Sequence, residues 1–221
     1  MLSQVIHLIR KEIIIEWRNR YALNGISLYL ISTIFICYLS FNVRSNQLNP
    51  LTWNALFWII ILFTSISVVA KTFIQEKQGL FLYYYWIHDP ATIIIGRTLY
   101  NAFLLIMLGI PGLLIYSLVL GNPVEDIFLF VVNVLIVCFG LSATLTLLSA
   151  IAAKARNSQT LMAILSFPVV LPILLMAIKV SKNAIDGLDR ASSYDELITL
   201  VAINAIIGGV SYLLFPYLWR S

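Results

Sequence analysis

The chain has 221 residues, of which 61% are hydrophobic and only 11% are charged, with a formal net charge of +4. Soluble domains carry about 25% charged residues, so the composition is that of a membrane protein with no room for a separate soluble catalytic domain. There is no G-x-x-x-x-G-K-[ST] phosphate loop, and a modest Lys/Arg excess without a basic stripe reads as topology rather than nucleic-acid binding, so no nucleic-acid partner is expected.

Residues 2–20 place Val5, Ile9, Ile13 and Trp17 at four-residue spacing with Arg10, Lys11 and Arg18 off that stripe, which predicts an amphipathic helix in the membrane surface. Leu8, Ile14 and Ile15 blur the stripe. A plain flank to the first span is one reading. An elbow helix bracing that span and facing a cytoplasmic partner is the other, and four turns of amphipathic spacing favour it. The same residues lack the uninterrupted apolar core of a cleavable signal, so the first apolar run is expected to be an uncleaved anchor.

Long charge-free runs predict six transmembrane helices, at about 21–41, 51–70, 98–120, 127–153, 160–178 and 197–218, making residues 1–221 one all-α, polytopic transmembrane domain. Every charged residue and both histidines fall outside those limits. Proton relays and intramembrane metal centres need ionisable groups inside the spans, so no ion-coupled pump, metalloprotease or metal site is expected. Hydroxyls such as Ser142 and Tyr100 likewise have no base to activate them, which argues against an enzyme. With the N-terminus inside, ten Lys/Arg fall on the cytoplasmic side (Arg10, Lys11, Arg18, Arg20, Lys71, Lys77, Arg97, Lys154, Arg156, Arg220) and four outside (Arg44, Lys179, Lys182, Arg190), which places both termini in the cytoplasm. Cys37 and Cys138 lie in apolar runs and read as small hydrophobes.

Residues 71–97 are too polar to span and too apolar for a bare linker. Phe73, Leu80, Phe81 and Tyr84 share roughly one helical face, Glu76, Lys77 and Gln78 another, and Asp89-Pro90 reads as a stop followed by the next helix start. The residues alone leave two readings open: an interfacial helix using the Tyr83 to Trp86 aromatics at headgroup level, or a docking helix for a cytoplasmic partner.

In the fourth span Ser142, Thr146 and Ala150 recur at four-residue spacing, a face suited to close helix contact. Ala202, Ala205 and Gly209 form a weaker version in the sixth. Pro168 and Pro172 in the fifth span delete two backbone donors, so a bend or broken helix is expected, either as a static kink or as part of a transport path. Ser142, Thr146, Pro168 and Pro172 are therefore the candidate conduit or hinge residues. Residues 179–196 are the most polar stretch and are expected to form one or two small helices over the outer mouth, a solvated cap rather than a metal site.

This order of elements resembles the permease half of type 2 ATP-binding-cassette exporters, and more specifically the heme exporter protein B (CcmB) family of cytochrome c maturation systems. The resemblance rests on Arg10-Lys11-Glu12, on Phe73, Glu76 and Gly79 followed by Leu80 and Leu82, and on the small-residue fourth span leading through Lys154-Ala-Arg156 to Leu161, Leu165, Pro168 and Pro172. Glu76 stands where Asp is frequent in the family, Asp89-Pro90 where Ser-Pro is typical, and the Tyr83 to Trp86 stretch is unusually aromatic.

The resemblance implies a bacterial inner-membrane permease of two copies, or one copy and a related membrane subunit, seated on a dimeric cytoplasmic ABC ATPase that binds the ATP. Phe73, Glu76, Gly79 and Leu80 are then the positions that couple to the ATPase: Glu76 offers a charge, Gly79 permits close approach and Leu80 fills a groove. Heme becomes the cargo of a complex that includes heme-handling membrane and carrier subunits. His7 and His88 both fall on the cytoplasmic side and no histidine falls outside, so a partner is expected to hold heme iron there. No residue of this chain is singled out as a cofactor ligand. Two alternatives stay open: a permease for lipid, polysaccharide or drug, and a scaffold that transmits ATPase motion to partners without a conduit of its own.

Overall fold

The computed structural model describes residues 2–18, 21–42, 48–74, 89–153 and 158–220. They form seven α-helices: α1 (Leu2–Arg18), α2 (Tyr21–Asn42), α3 (Pro50–Ile74), α4 (Pro90–Leu120), α5 (Ile127–Ala153), α6 (Ser158–Ile185) and α7 (Tyr194–Arg220), with a 3₁₀ turn (Arg190–Ser193) before the last. No strand occurs among the described residues. Helices α2 to α7 are each long and apolar enough to cross a membrane.

The hub is α5, which packs against α3, α4, α6 and α7. Its sequence is apolar around the whole circumference, and Gly140 to Ala150 are buried without interruption, as expected of a helix enclosed on all sides. By contrast α2, among its described side chains, buries only the stripe Ile26, Leu30 and Ile34, and turns Leu28, Tyr29, Phe35 and Ile36 outward. Gly112 of α4 admits Leu30: a Cβ there would stand 3.3 Å from the Leu30 Cδ1.

Helix α4 starts at the proline the sequence marks. Pro90 occupies the first turn, where a missing N–H costs nothing, and the Thr92 and Ile93 amides donate to the Asp89 carbonyl at 2.9 and 3.2 Å. Its 31 residues extend about 46 Å, well beyond a hydrocarbon core of about 30 Å. The helix therefore carries Arg97 in its second turn, and Arg97 is buried. This corrects the expectation that every charge lies clear of the spanning helices. The arginine is tolerated because it sits near a helix end and is engaged by a neighbouring group.

Helix α6 is not broken at its prolines, the stronger of the two outcomes expected there. It runs unbroken through Pro168 and Pro172 and on past Lys179 and Lys182 to Ile185. Each proline removes one donor, but the flanking residues keep the helix continuous, and the face bearing both prolines is exposed along with Ile164, Phe167 and Leu171. The expected cap of one or two small helices is a single 3₁₀ helix, Arg190–Ser193, because α6 and α7 take up both ends of the 179–196 stretch. Gly187 closes α6 with φ of 63°, a left-handed conformation that glycine adopts without strain, and the Leu188 amide reaches back to the Asn183 carbonyl at 3.1 Å.

Candidate coupling and hinge sites

Of the four coupling positions, Glu76, Gly79 and Leu80 lie outside the described residues. Phe73 lies in the last turn of α3. What the structure does fix is how the helices on either side of that segment, α3 and α4, are fastened to the rest of the bundle.

Helix α4 is fastened to α5. The Ser142 hydroxyl donates to the Thr98 carbonyl at 2.6 Å, and the Asn101 amide donates to the Thr146 hydroxyl at 2.8 Å. Farther along the seam, the Cys138 thiol faces the Leu105 carbonyl at 3.8 Å and packs over Gly109. The small-residue face of Ser142, Thr146 and Ala150 thus meets a helix of its own chain, and all three residues are buried.

Helix α3 is fastened to α6, with α5 joining in. The Trp58 indole N–H and the Asn133 amide both donate to the Ser181 hydroxyl at 2.9 Å; the Asn133 amide also donates to the Ala177 carbonyl at 2.8 Å, and the Asn54 amide to the Ile178 carbonyl at 3.1 Å. Around this lies a five-ring cluster of Trp53, Phe57, Trp58, Tyr116 and Phe130, with centroid separations from 4.8 to 6.5 Å. Two further bonds pin it, from the Trp53 indole to the Gly121 carbonyl and from the Tyr116 hydroxyl to the Trp53 carbonyl, each 2.9 Å.

The four conduit or hinge candidates therefore do not form one site. Ser142 and Thr146 are enclosed in the α4–α5 seam, while Pro168 and Pro172 lie on the exposed face of α6. The prolines do separate two parts of α6 that are held differently: the stretch from Ala177 to Ser181 carries the polar bonds to α3 and α5, and the stretch before Pro168 carries none to another helix among the bonds described above.

A second clamp joins α5 to α7. The Asn204 amide donates to the Ile136 carbonyl at 3.0 Å, and its carbonyl oxygen lies so close over Gly140 that a Cβ there would overlap it. Such an approach is compatible with a Cα–H···O contact. The small-residue face of Ala202, Ala205 and Gly209 is exposed; α7 grips α5 through the neighbouring Asn204 instead.

At the end of the bundle where α5 and α7 begin, Arg190 holds Asp126 through two bonds, Nε to Oδ2 at 2.5 Å and Nη2 to Oδ1 at 3.1 Å, and its guanidinium lies 4.9 Å from the Phe128 ring centroid. Asp126 also caps α5 by accepting from the Leu129 amide at 3.1 Å. The Arg190 bond, followed by the Leu129 amide, holds the Asp126 carboxyl below the usual carboxylate range. A depressed pKa of this kind keeps the tie intact at neutral pH and loosens it only as pH falls below that range. The Glu125 and Asp126 amides donate to the Ala184 carbonyl at 3.2 and 3.0 Å, which hangs the α4–α5 turn from the end of α6.

Sequence reasoning missed Asn54, Trp58, Asn133, Ser181 and Asn204. For all but Ser181, which lies in the polar 179–196 stretch, the signal is an isolated polar or indole group within an otherwise apolar run, with Asn54 and Trp58 one turn apart.

Compared with known protein families, residues 3–212 match the family described as CcmB protein. The chain belongs to the CcmB family. The match covers nearly the whole chain and agrees with the resemblance carried by the order of its segments. No curated protein and no solved structure matches this CcmB chain.

Proposed function

We propose that this CcmB-family chain is the membrane permease subunit of an ABC-type complex of the bacterial inner membrane. The complex handles heme for c-type cytochrome biogenesis, by release or export, and a separate cytoplasmic subunit hydrolyses the ATP. Family membership over residues 3–212 is the observation that carries this reading. The ten-to-four Lys/Arg asymmetry supports cytoplasmic termini and a cytoplasmic position for the segment between α3 and α4.

The fastenings supply a route for force. A push on that segment enters α3 and α4 together. Asn54 and Trp58 carry it from α3 into α6, and the close packing of the buried Ser142, Thr146 and Ala150 face carries it from α4 into α5 whether or not its hydrogen bonds are kept. Packed helices shift as units rather than deform continuously, so the outcome is a rigid-body displacement. The prolines of α6 offer a hinge below its secured stretch. A second permease copy or a related membrane subunit completes the assembly, and heme iron is ligated by a partner rather than by this chain.

One observation favours a second reading, a lever without its own conduit: Ser142 and Thr146, the polar side chains best suited to line a path, are spent on the α4–α5 seam.

Affinity purification from native membranes in mild detergent tests the proposal. An ATP-hydrolysing subunit and heme pigment are expected to co-purify, and recovery of the chain without an ATPase would count against it. Ser142→Ala with Thr146→Val separates the readings. A conduit loses heme delivery while ATP hydrolysis persists; a lever keeps both.

A further inference from the structure

Helix α1 is the most amphipathic helix described and is not one of the spans. Its buried stripe is Val5 and Leu8. Leu8 lies against Gly96, where a Cβ would stand 3.5 Å from it, and joins Ile93, Ile94, Ala150 and Phe215 in one apolar cluster. Those partners come from the start of α4 and the ends of α5 and α7, so α1 lies at the level where the spans leave the hydrocarbon.

About half a turn away, Ile6, Arg10 and Ile14 recur at four-residue spacing on the uncovered face. Ile6 is 61% and Ile14 55% exposed, and Arg10 is exposed between them, with exposed His7 alongside. Glu12 falls on the packed side, its side chain 22% exposed and 3.9 Å from the Lys11 ammonium. The acid is thus drawn inward and the outward face is left cationic. Whatever covers that face must supply apolar matter to two isoleucines and negative charge to the arginine between them. At this depth a phospholipid boundary supplies both.

We infer that the outward face of α1 docks anionic phospholipid, with Ile6 and Ile14 entering the acyl boundary and Arg10 holding headgroup phosphates. The inference rests on the proposed topology, in which this end of the bundle faces the cytoplasmic leaflet. Specific retention of anionic lipid follows, and it is independent of whether an ATPase is bound.

The test places the chain, with any co-purifying subunits, in nanodiscs of phosphatidylcholine containing a minor share of phosphatidylglycerol. Lipids kept after gentle detergent extraction are then counted by native mass spectrometry. Phosphatidylglycerol is expected above its share in the disc. Arg10→Gln is expected to lower that enrichment about five-fold, and Arg10→Lys to preserve it, while thermal midpoints in pure phosphatidylcholine stay unchanged and show that the fold is intact. Equal retention of the two lipids, or enrichment unaffected by Arg10→Gln, overturns the inference. So does a variant that keeps its lipid but sheds the ATPase subunit, which would make the face a protein interface. Because ATPase recovery is scored separately, failure of the lipid inference leaves the proposed function standing.

Discussion

Trp58→Ala is expected to destabilise the bundle by about 3–5 kcal/mol, the range for deleting a fully buried aromatic side chain. The indole is 1% exposed, meets Phe57 edge-on at 5.3 Å and stacks with Phe130 at 6.5 Å. Its removal opens a void where α3, α5 and α6 converge and also strips one of the two donors from Ser181. Trp58→Phe keeps most of the ring contact and loses only the bond, and interhelical bonds within membranes average about 0.6 kcal/mol with a maximum of about 1.7. Equilibrium unfolding in mixed micelles should therefore show Ala much worse than Phe. Equal losses would mean that the hydrogen bond, not the packing, joins these helices.

Gly140→Ala is the second large effect. The new methyl meets the Asn204 carboxamide oxygen, so the side chain must rotate and give up its bond to the Ile136 carbonyl. Overpacking and a stranded buried amide together cost about 2–3 kcal/mol. The cause is a single pair of atoms, so the loss should be strongly non-additive: Gly140→Ala combined with Asn204→Ala should be little worse than Asn204→Ala alone. Simple additivity in that double-mutant cycle would place the strain elsewhere in the α5–α7 contact.

Six spans were legible in the sequence because a bilayer demands long uninterrupted apolar runs, and this chain meets that demand with little ambiguity. The start of α4 was legible as well, since Pro90 costs nothing in a first turn. The contacts between spans were not. Asn54, Asn133 and Asn204 each stand alone among apolar neighbours, and an isolated polar residue reads the same whether its partner is a carbonyl on another helix, a water or a ligand. Small residues misled in one span and informed in another: Ser142, Thr146 and Ala150 do meet a helix, whereas Ala202, Ala205 and Gly209 lie on an open face because Asn204 sets the rotation of α7. Arg97 was placed outside its span because a charge was taken to mark the span's end, when a long side chain near a helix end can remain inside a packed interface. The prolines of α6 announced a bend or a break, and the helix runs on through both.

The central claim is that the chain is a lipid-embedded lever driven from the cytoplasm through the segment that joins α3 to α4. A photocrosslinking residue at position 76, activated in native membranes, tests it most directly. The account predicts that position 76 captures a nucleotide-hydrolysing subunit and is reached by membrane-impermeant reagents only in inside-out vesicles. Labelling of position 76 from the outer face of intact cells, or crosslinks that contain no such subunit, would contradict it.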